Sequence, residues 1–246
     1  MVLNEFSVIS DIQLLQTGQI QLVGQVVLGS NITLLVRVTS QDHDVQAIYK
    51  PNQGERPLWD FPRYSLSKRE VAAFVVSNLL SWDLVPPTVY RQKNAPYGPG
   101  SLQLFIPHDP NIHYFNLVNK PKDTIQKIIL FDYLINNADR KGGHLIQDEN
   151  QKLWLIDHGL SFSKEFKLRT VIWDYAGETI PKPLLNDLQS LHEKFLSNSH
   201  PLLIKLQKLL SVEERDALSS RIVELLNNPK FPKPEETRRS YPWPLI

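Results

Sequence analysis

Two short polar clusters, set a fixed apolar interval apart, constrain this chain more than any other stretch. They lie between Phe131 and Phe162, in FDYLINNADRKGGHLIQDENQKLWLIDHGLSF. The first is Asp139-Arg140-Lys141-Gly142-Gly143-His144 and the second is Asp157-His158-Gly159. Between them, Leu145-Ile146 and Leu153 to Ile156 are brief apolar runs joined by the turn-like Asp148-Glu149-Asn150. That order predicts strand, polar turn, strand. With the strands antiparallel, Asp139, His144 and Asp157 share one end of the hairpin. Two carboxylates converging with an imidazole point to a divalent cation and to the phosphate that accompanies one. Each residue taken singly has a plainer use: Asp139 as a cap, Asp148 and Asn150 as hairpin residues, Asp-x-Gly as a turn. Their order and spacing together favour a site for a cation with its phosphate.

Composition bounds the rest. A chain of 246 residues can build one large domain or two small lobes with a real core. Hydrophobic residues at 41% and charged residues at 22% describe an ordinary globular protein. A net charge of +1 gives no global field for nucleic acid or an anionic membrane surface. The absence of cysteine excludes disulfides and thiolate metal sites and fits a cytoplasmic protein. MVLNEFSVIS lacks the basic start and apolar core of a signal peptide. No apolar run approaches the ~20 residues of a transmembrane segment, so a lipid substrate would be met at the membrane surface.

Upstream of the paired clusters, Gln19 to Val23, Ile32 to Val38 and Val45 to Lys50 alternate as strands, with Gly29 and Ser30 in the turn after the first. Lys50, ending the third, reads on its own as a solvated edge residue. The spacing predicts a helix from Ser67 to Ser81, with Val71, Phe74, Val75, Asn78 and Leu79 on its apolar stripe. Ser67 and Glu70 fit a capping box there, and Leu66 with Val71 a hydrophobic staple. Thr88 to Arg91 and Ser101 to Ile106 read as a hairpin across Pro96 to Gly100, and Pro107 begins a natural boundary. A second helix is expected from Thr124 to Asn136. Asp132 near its end needs a partner, for which Arg140 is the candidate. Residues 161–177 are irregular, with Lys164, Lys167 and Arg169 placed either for an anion or on a solvated loop. Amphipathic helices follow over 183–198 and 201–227, with a capping box at Ser211 and Glu214. The aromatics Phe231, Tyr241 and Trp243 suggest a Pro-rich tail packed on the body.

Asp139, then His144 five positions later, then Asp157-His158-Gly159 after a hairpin resembles the kinase arrangement of catalytic Asp, metal ligand and metal-binding Asp-x-Gly. Asn136-Asn137-Ala138-Asp139-Arg140 resembles the catalytic loop of the phosphatidylinositol 3-/4-kinase-like and Fam20-like atypical kinases. Gly54-Glu-Arg-Pro-Leu-Trp-Asp-Phe-Pro62, Arg69-Glu-Val-Ala-Ala73 and Tyr241-Pro-Trp-Pro244 are similar to the SCO1664-type bacterial proteins of that superfamily. The resemblance covers nearly all of the chain. It implies a compact bilobal protein-kinase-like α+β fold, with an N-terminal nucleotide-binding lobe over 1–106 and a C-terminal lobe over 107–246. It implies ATP with Mg²⁺ or Mn²⁺. Lys50 would hold phosphates, positioned by Glu70, with Gly29 and Ser30 covering them. Backbone groups of Gln103, Leu104, Phe105 and Ile106 would meet adenine. Asp157 and His144 would bind metal, Asp139 would face the acceptor hydroxyl, and Lys141 would contact the γ-phosphate. His144 replaces the Asn of most kinases, and a softer ligand suits Mn²⁺; an unperturbed His titrates near ~6.5. The implied activity is ATP- and metal-dependent phosphotransfer to an acceptor of open class: lipid, protein, sugar or small metabolite. Nucleotidyl (AMP) transfer on the same fold and a non-catalytic ATP-binding regulator are the alternatives. A metal phosphoesterase would leave Lys50 and Glu70 unexplained.

Overall fold

The computed structural model describes residues 5–26, 31–41, 43–197 and 199–246, with the side chains of 5–10 left aside. Gly29 and Ser30, expected over the phosphates, lie outside the described residues. The chain opens with helix α1 (Glu5–Thr17), for which the sequence reading had no expectation. Strands β1 (Gln19–Val26), β2 (Thr33–Thr39) and β3 (Asp44–Pro51) follow, then helix α2 (Leu66–Leu79) and strands β4 (Thr88–Arg91) and β5 (Gly100–Leu104). These strands form one antiparallel sheet in the order β1-β2-β3-β5-β4. Leu14 and Leu15 of α1 join Val36, Val38, Ala47, Tyr49, Val89 and Leu102 in a core beside the sheet.

Helix α2 differs from the expected one-faced helix. Arg69, Glu70, Ala72, Ala73 and Val76 are buried along with Val71, Phe74, Val75 and Leu79 of the expected stripe, while Asn78 is half-buried. It packs against β4 and β5 on one side and against α3 (Lys122–Ile135) and α5 (Pro201–Gln207) on the other, so no face is left to water. The expected capping box is absent. Ser65 is the N-cap, with no side-chain cap bond, and the helix begins before Ser67. The Ser67 hydroxyl instead donates to Asn52, and the Ser67 N–H to Glu55 Oε1 at 3.1 Å. Glu70 is thereby released from capping.

Beyond β5 the chain is mainly helical. Asn136 ends α3 in the left-handed region (φ 51°), which Asn tolerates, and its Nδ2 donates to the carbonyls of Ser163 and Glu165 at 2.9 and 2.6 Å. The predicted hairpin is present as β6 (Leu145–Gln147) and β7 (Leu153–Leu155), with Leu145 opposite Leu155. Helices α4 (Lys182–Ser197) and α6 (Val212–Asn227) pack on each other, and α6 carries the expected Ser211–Glu214 capping box. The largest core cluster links α2, α3, α4, α6 and the hairpin. Phe231 is buried in it, so the start of the tail is docked as expected.

Candidate active site

The site lies where β3, α2 and the β6–β7 hairpin meet. Lys50 is the penultimate residue of β3, and its Nζ lies 2.5 Å from Glu70 Oε1 and 2.9 Å from Asp157 Oδ1. One cation therefore ties a strand, a helix and the hairpin exit. The other Glu70 oxygen accepts the His158 backbone N–H at 2.8 Å. Burial pushes Glu70 up from the usual carboxylate range, against the pull of Lys50. Burial would lower Lys50, but Asp157 and then Glu70 outweigh it and raise it. For Asp157, burial is overcome by Lys50 and His144, which hold the carboxyl well below its usual range. Asp157 sits at φ 59°, a left-handed conformation that Asp tolerates better than most residues.

Asp139 lies on the loop after α3. Its N–H donates to Asn137 Oδ1 at 3.0 Å, and its carboxylate lies 3.5 Å from Lys141 Nζ. Burial pushes its pKa up to about 6, with Lys141 opposing. The loop is stitched at its base. Ala138 N–H donates to Leu160 O at 2.9 Å, Arg140 N–H to Arg169 O at 3.0 Å, and Val171 N–H to Arg140 O at 3.1 Å. The expected Asp132–Arg140 pair is present and wholly buried: Arg140 Nη2 lies 3.0 Å from Asp132 Oδ1. Arg140 also donates to the carbonyls of His144 at 3.1 Å and Ile156 at 2.9 Å, joining both ends of the hairpin.

His144 Nε2 lies 3.4 Å from Asp157 Oδ2, so the two expected metal ligands converge. Burial lowers the His144 pKa to about 4, which corrects the unperturbed value assumed from sequence. Its Nδ1 accepts a long 3.5 Å bond from the Lys141 N–H, which places the ring proton on Nε2, toward Asp157. Ligation through Nε2 requires the other tautomer, and a contact this long opposes that exchange weakly. Among the described residues no three His, Cys, Asp or Glu side chains gather for a metal. Asp157 and neutral His144 therefore fit a cation whose remaining ligands are phosphate oxygens and water, the usual arrangement for Mg²⁺ beside a nucleotide.

The strip expected to meet adenine is partly spent on the fold. Leu104 N–H donates to Pro87 O at 2.8 Å, Phe105 N–H to Gln46 O at 3.0 Å, and Gln103 Nε2 to Thr88 Oγ1 at 2.9 Å. Ile106 packs with Ile146 and Trp154 in a buried apolar cluster, flanked by the partly buried Leu104 and Ile156. Of the three basic residues after Asp157, Lys167 is paired with Asp60 at 2.8 Å.

Two functional neighbours were missed in the sequence. His158, fully buried, takes the Arg140 Nη2–H on its Nε2 at 2.9 Å while its backbone holds Glu70. Its place inside Asp-x-Gly was the available signal. Arg69 donates to Ser161 O at 2.6 Å and to Glu214 Oε1 on α6, with its guanidinium 4.8 Å from the Phe61 ring centroid. Nothing local marks a pairing across 145 residues.

The chain is similar to known kinases in sequence and in fold. Residues 36–199 match the family model described as phosphatidylinositol 3- and 4-kinase. Protein Rv2133c of Mycobacterium tuberculosis is 33% identical over 267 residues, spanning 94% of each chain. Among solved structures, hydra Fam20 with sugar superposes with a TM-score of 0.58 at 17% identity, over 92% of this chain and 89% of that one. The Golgi casein kinase with Mn/ADP bound gives 0.56 at 17% identity, over 99% of this chain and 81% of that one. At that identity the two structures speak for the fold, which is protein-kinase-like.

Proposed function

Because the chain belongs to the phosphatidylinositol 3- and 4-kinase family and is therefore a kinase, we propose that it transfers the γ-phosphate of ATP to an alcohol hydroxyl in a reaction that needs a divalent cation. The observation that carries this reading is Lys50 held between Glu70 and Asp157. A lysine braced by a buried helix carboxylate is a fixed point charge for phosphates. The part of the chain over 1–106 serves as the nucleotide-binding lobe and 107–246 as the lobe carrying the loop and hairpin. Adenine lies beside residues 103–106, against Leu104 and Ile156 at the partly exposed edge of the Ile106–Ile146–Trp154 cluster. Asp157 and His144 hold the cation, which neutralises phosphate charge. Lys141 faces the γ-phosphate. Asp139 takes the proton of the acceptor hydroxyl as its oxygen bonds to the γ-phosphorus and ADP leaves. The Mn/ADP in the Golgi casein kinase structure supports the nucleotide and the metal. The family description supports an inositol-lipid hydroxyl as the first acceptor to try. Incubation with γ-labelled and α-labelled ATP tests the reaction: label in product from the γ-position alone is expected, and label from the α-position would mean nucleotidyl transfer instead.

Lys50→Met is expected to weaken ATP binding at least tenfold, since a charge-assisted hydrogen bond contributes about 1.5–3 kcal/mol. Thermal shift with ATP and Mg²⁺ reads this directly. No stabilisation of the wild type at millimolar ATP would remove the nucleotide site.

His144 supplies a second test. Its pKa of about 4 means that the ring is neutral at both pH 6 and pH 8, so ligation there needs a change of tautomer and no loss of charge. Metal-dependent nucleotide affinity should therefore show no His144 titration between those values and should fail only as pH drops through about 4. The wild type is expected to favour Mn²⁺ and His144→Asn to shift toward Mg²⁺. Equal metal preference in the two proteins would leave the cation to Asp157, phosphate and water.

A further inference from the structure

We infer that the C-terminal strap, residues 240–246, is a positioning element of the catalytic loop, one that sets the rate of phosphoryl transfer more than it sets nucleotide affinity. This rests on the kinase reading above. The strap holds the loop at two points. Ser240 O accepts the Thr170 N–H at 3.1 Å, and Thr170 bridges in parallel to Arg140, the residue after Asp139. Further on, Leu245 O accepts the Gly142 N–H at 2.7 Å, three residues past Asp139. Asp139 is thus flanked by two contacts with the same segment.

The fit is tight at Gly142 and slack elsewhere. A Cβ on Gly142 would stand 2.9 Å from Phe115 Cε2 and 3.4 Å from Leu245 O, so the loop lies between the Phe115 ring and the strap with no space for a side chain. Tyr241 packs edge-on against Trp173 at 6.4 Å, and the Ser240 hydroxyl closes the preceding turn with the Glu235 N–H at 2.9 Å. Yet Trp243 is 76% exposed, Leu245 41% and Ile246 58%. Little apolar burial anchors the last residues, so the grip on Gly142 depends mainly on one backbone hydrogen bond. Segments held in this way open at low free energy. The strap leaves Asp139 accessible, with 27% of its side chain exposed, so it braces the loop and does not block it. The Lys50–Glu70–Asp157 cluster makes none of these contacts, so the strap acts on the loop side of the site, at Gly142 between Lys141 and His144.

The test shortens the full chain after Pro242, removing residues 243–246. Hydrogen exchange at Gly142 and its neighbours is expected to quicken about tenfold or more as the loop loses its brace. The dissociation constant for Mn²⁺–ATP should stay within about twofold, while ATP turnover falls about tenfold or more, because small displacements of a reacting group carry large rate penalties. A peptide of residues 240–246 at millimolar concentration should restore part of that turnover, which a general loss of stability would not allow. Should the shortened chain not fold, Ser240→Ala opens the 235–240 turn with every residue in place and should quicken exchange at Thr170 and Gly142. Unchanged exchange and turnover would overturn the inference, as would a rise in turnover, which would make the strap an obstruction, or a fall in turnover matched by weaker nucleotide binding. If the intact protein neither binds nor turns over ATP, the kinase reading fails, and the exchange result still decides whether the strap holds the loop.

Discussion

Asp139→Asn is expected to lower turnover by about 10²–10⁴-fold while nucleotide affinity stays within about twofold, because removing a general base affects the proton transfer and not the phosphate contacts. Asn keeps the shape and the Lys141 contact in weakened form but cannot take a proton. The same variant should be more stable than the wild type. Burial raises Asp139 from its usual 3.8 to about 6, so the folded protein holds this proton more tightly than the unfolded chain does. Stability contributed by this group is therefore greatest in acid, falls as pH climbs through the interval from about 4 to about 6, and is lost in full at neutral pH. The penalty is roughly 1–3 kcal/mol at pH 7, given the partial exposure of the carboxylate. Turnover runs the other way with pH. It should rise toward a plateau above about 6, as Asp139 becomes able to accept a proton. Denaturant unfolding and a pH–rate profile check the two halves. Full activity in the Asn variant would make Asp139 a structural residue.

Asp132→Ala is expected to be the most destabilising single change near the site. It leaves the Arg140 guanidinium, whose side chain is wholly buried, without its carboxylate. Removing one partner of a buried ion pair costs about 3–5 kcal/mol, which corresponds to a fall in Tm of roughly 10 °C in a chain of this size. The damage extends past the pair, since Arg140 also holds the carbonyls of His144 and Ile156 and the His158 ring. Asp132→Asn, which keeps an oxygen toward Arg140, should lose less. A change below about 1 kcal/mol for Asp132→Ala would mean that water replaces the carboxylate and that Arg140 is not the bracket of the loop.

Residues close in sequence carried most of what could be foreseen. The β6–β7 hairpin was legible because turn residues and apolar runs alternate over a short span, and the site residues sit at its ends. The Asp132–Arg140 pair was legible because a buried carboxylate near a helix end needs a cation within reach. Glu70 was ambiguous, since Ser67 and Glu70 satisfy the local pattern of a cap. Tertiary context decided it: α2 starts earlier, and Lys50 offers a buried carboxylate more than a surface cap does. The all-round burial of α2 hid in its polar residues, because Arg69 and Glu70 read as a solvated face until their distant partners are known. The lowered pKa of His144 was not legible because burial, not spacing, sets it.

Arg69 and Glu70, adjacent on α2, point in different directions and are both engaged. Arg69 reaches Glu214 and the Ser161 carbonyl, and Glu70 reaches Lys50 and the His158 N–H. Swinging this helix outward means parting all four contacts at once. Control of kinases by displacing such a helix requires a resting state in which the lysine and glutamate stand apart, and this architecture opposes that state from both sides of the helix. On the proposed kinase reading, the Lys50–Glu70 pair assembles together with the fold and needs no separate step to bring the two residues into contact.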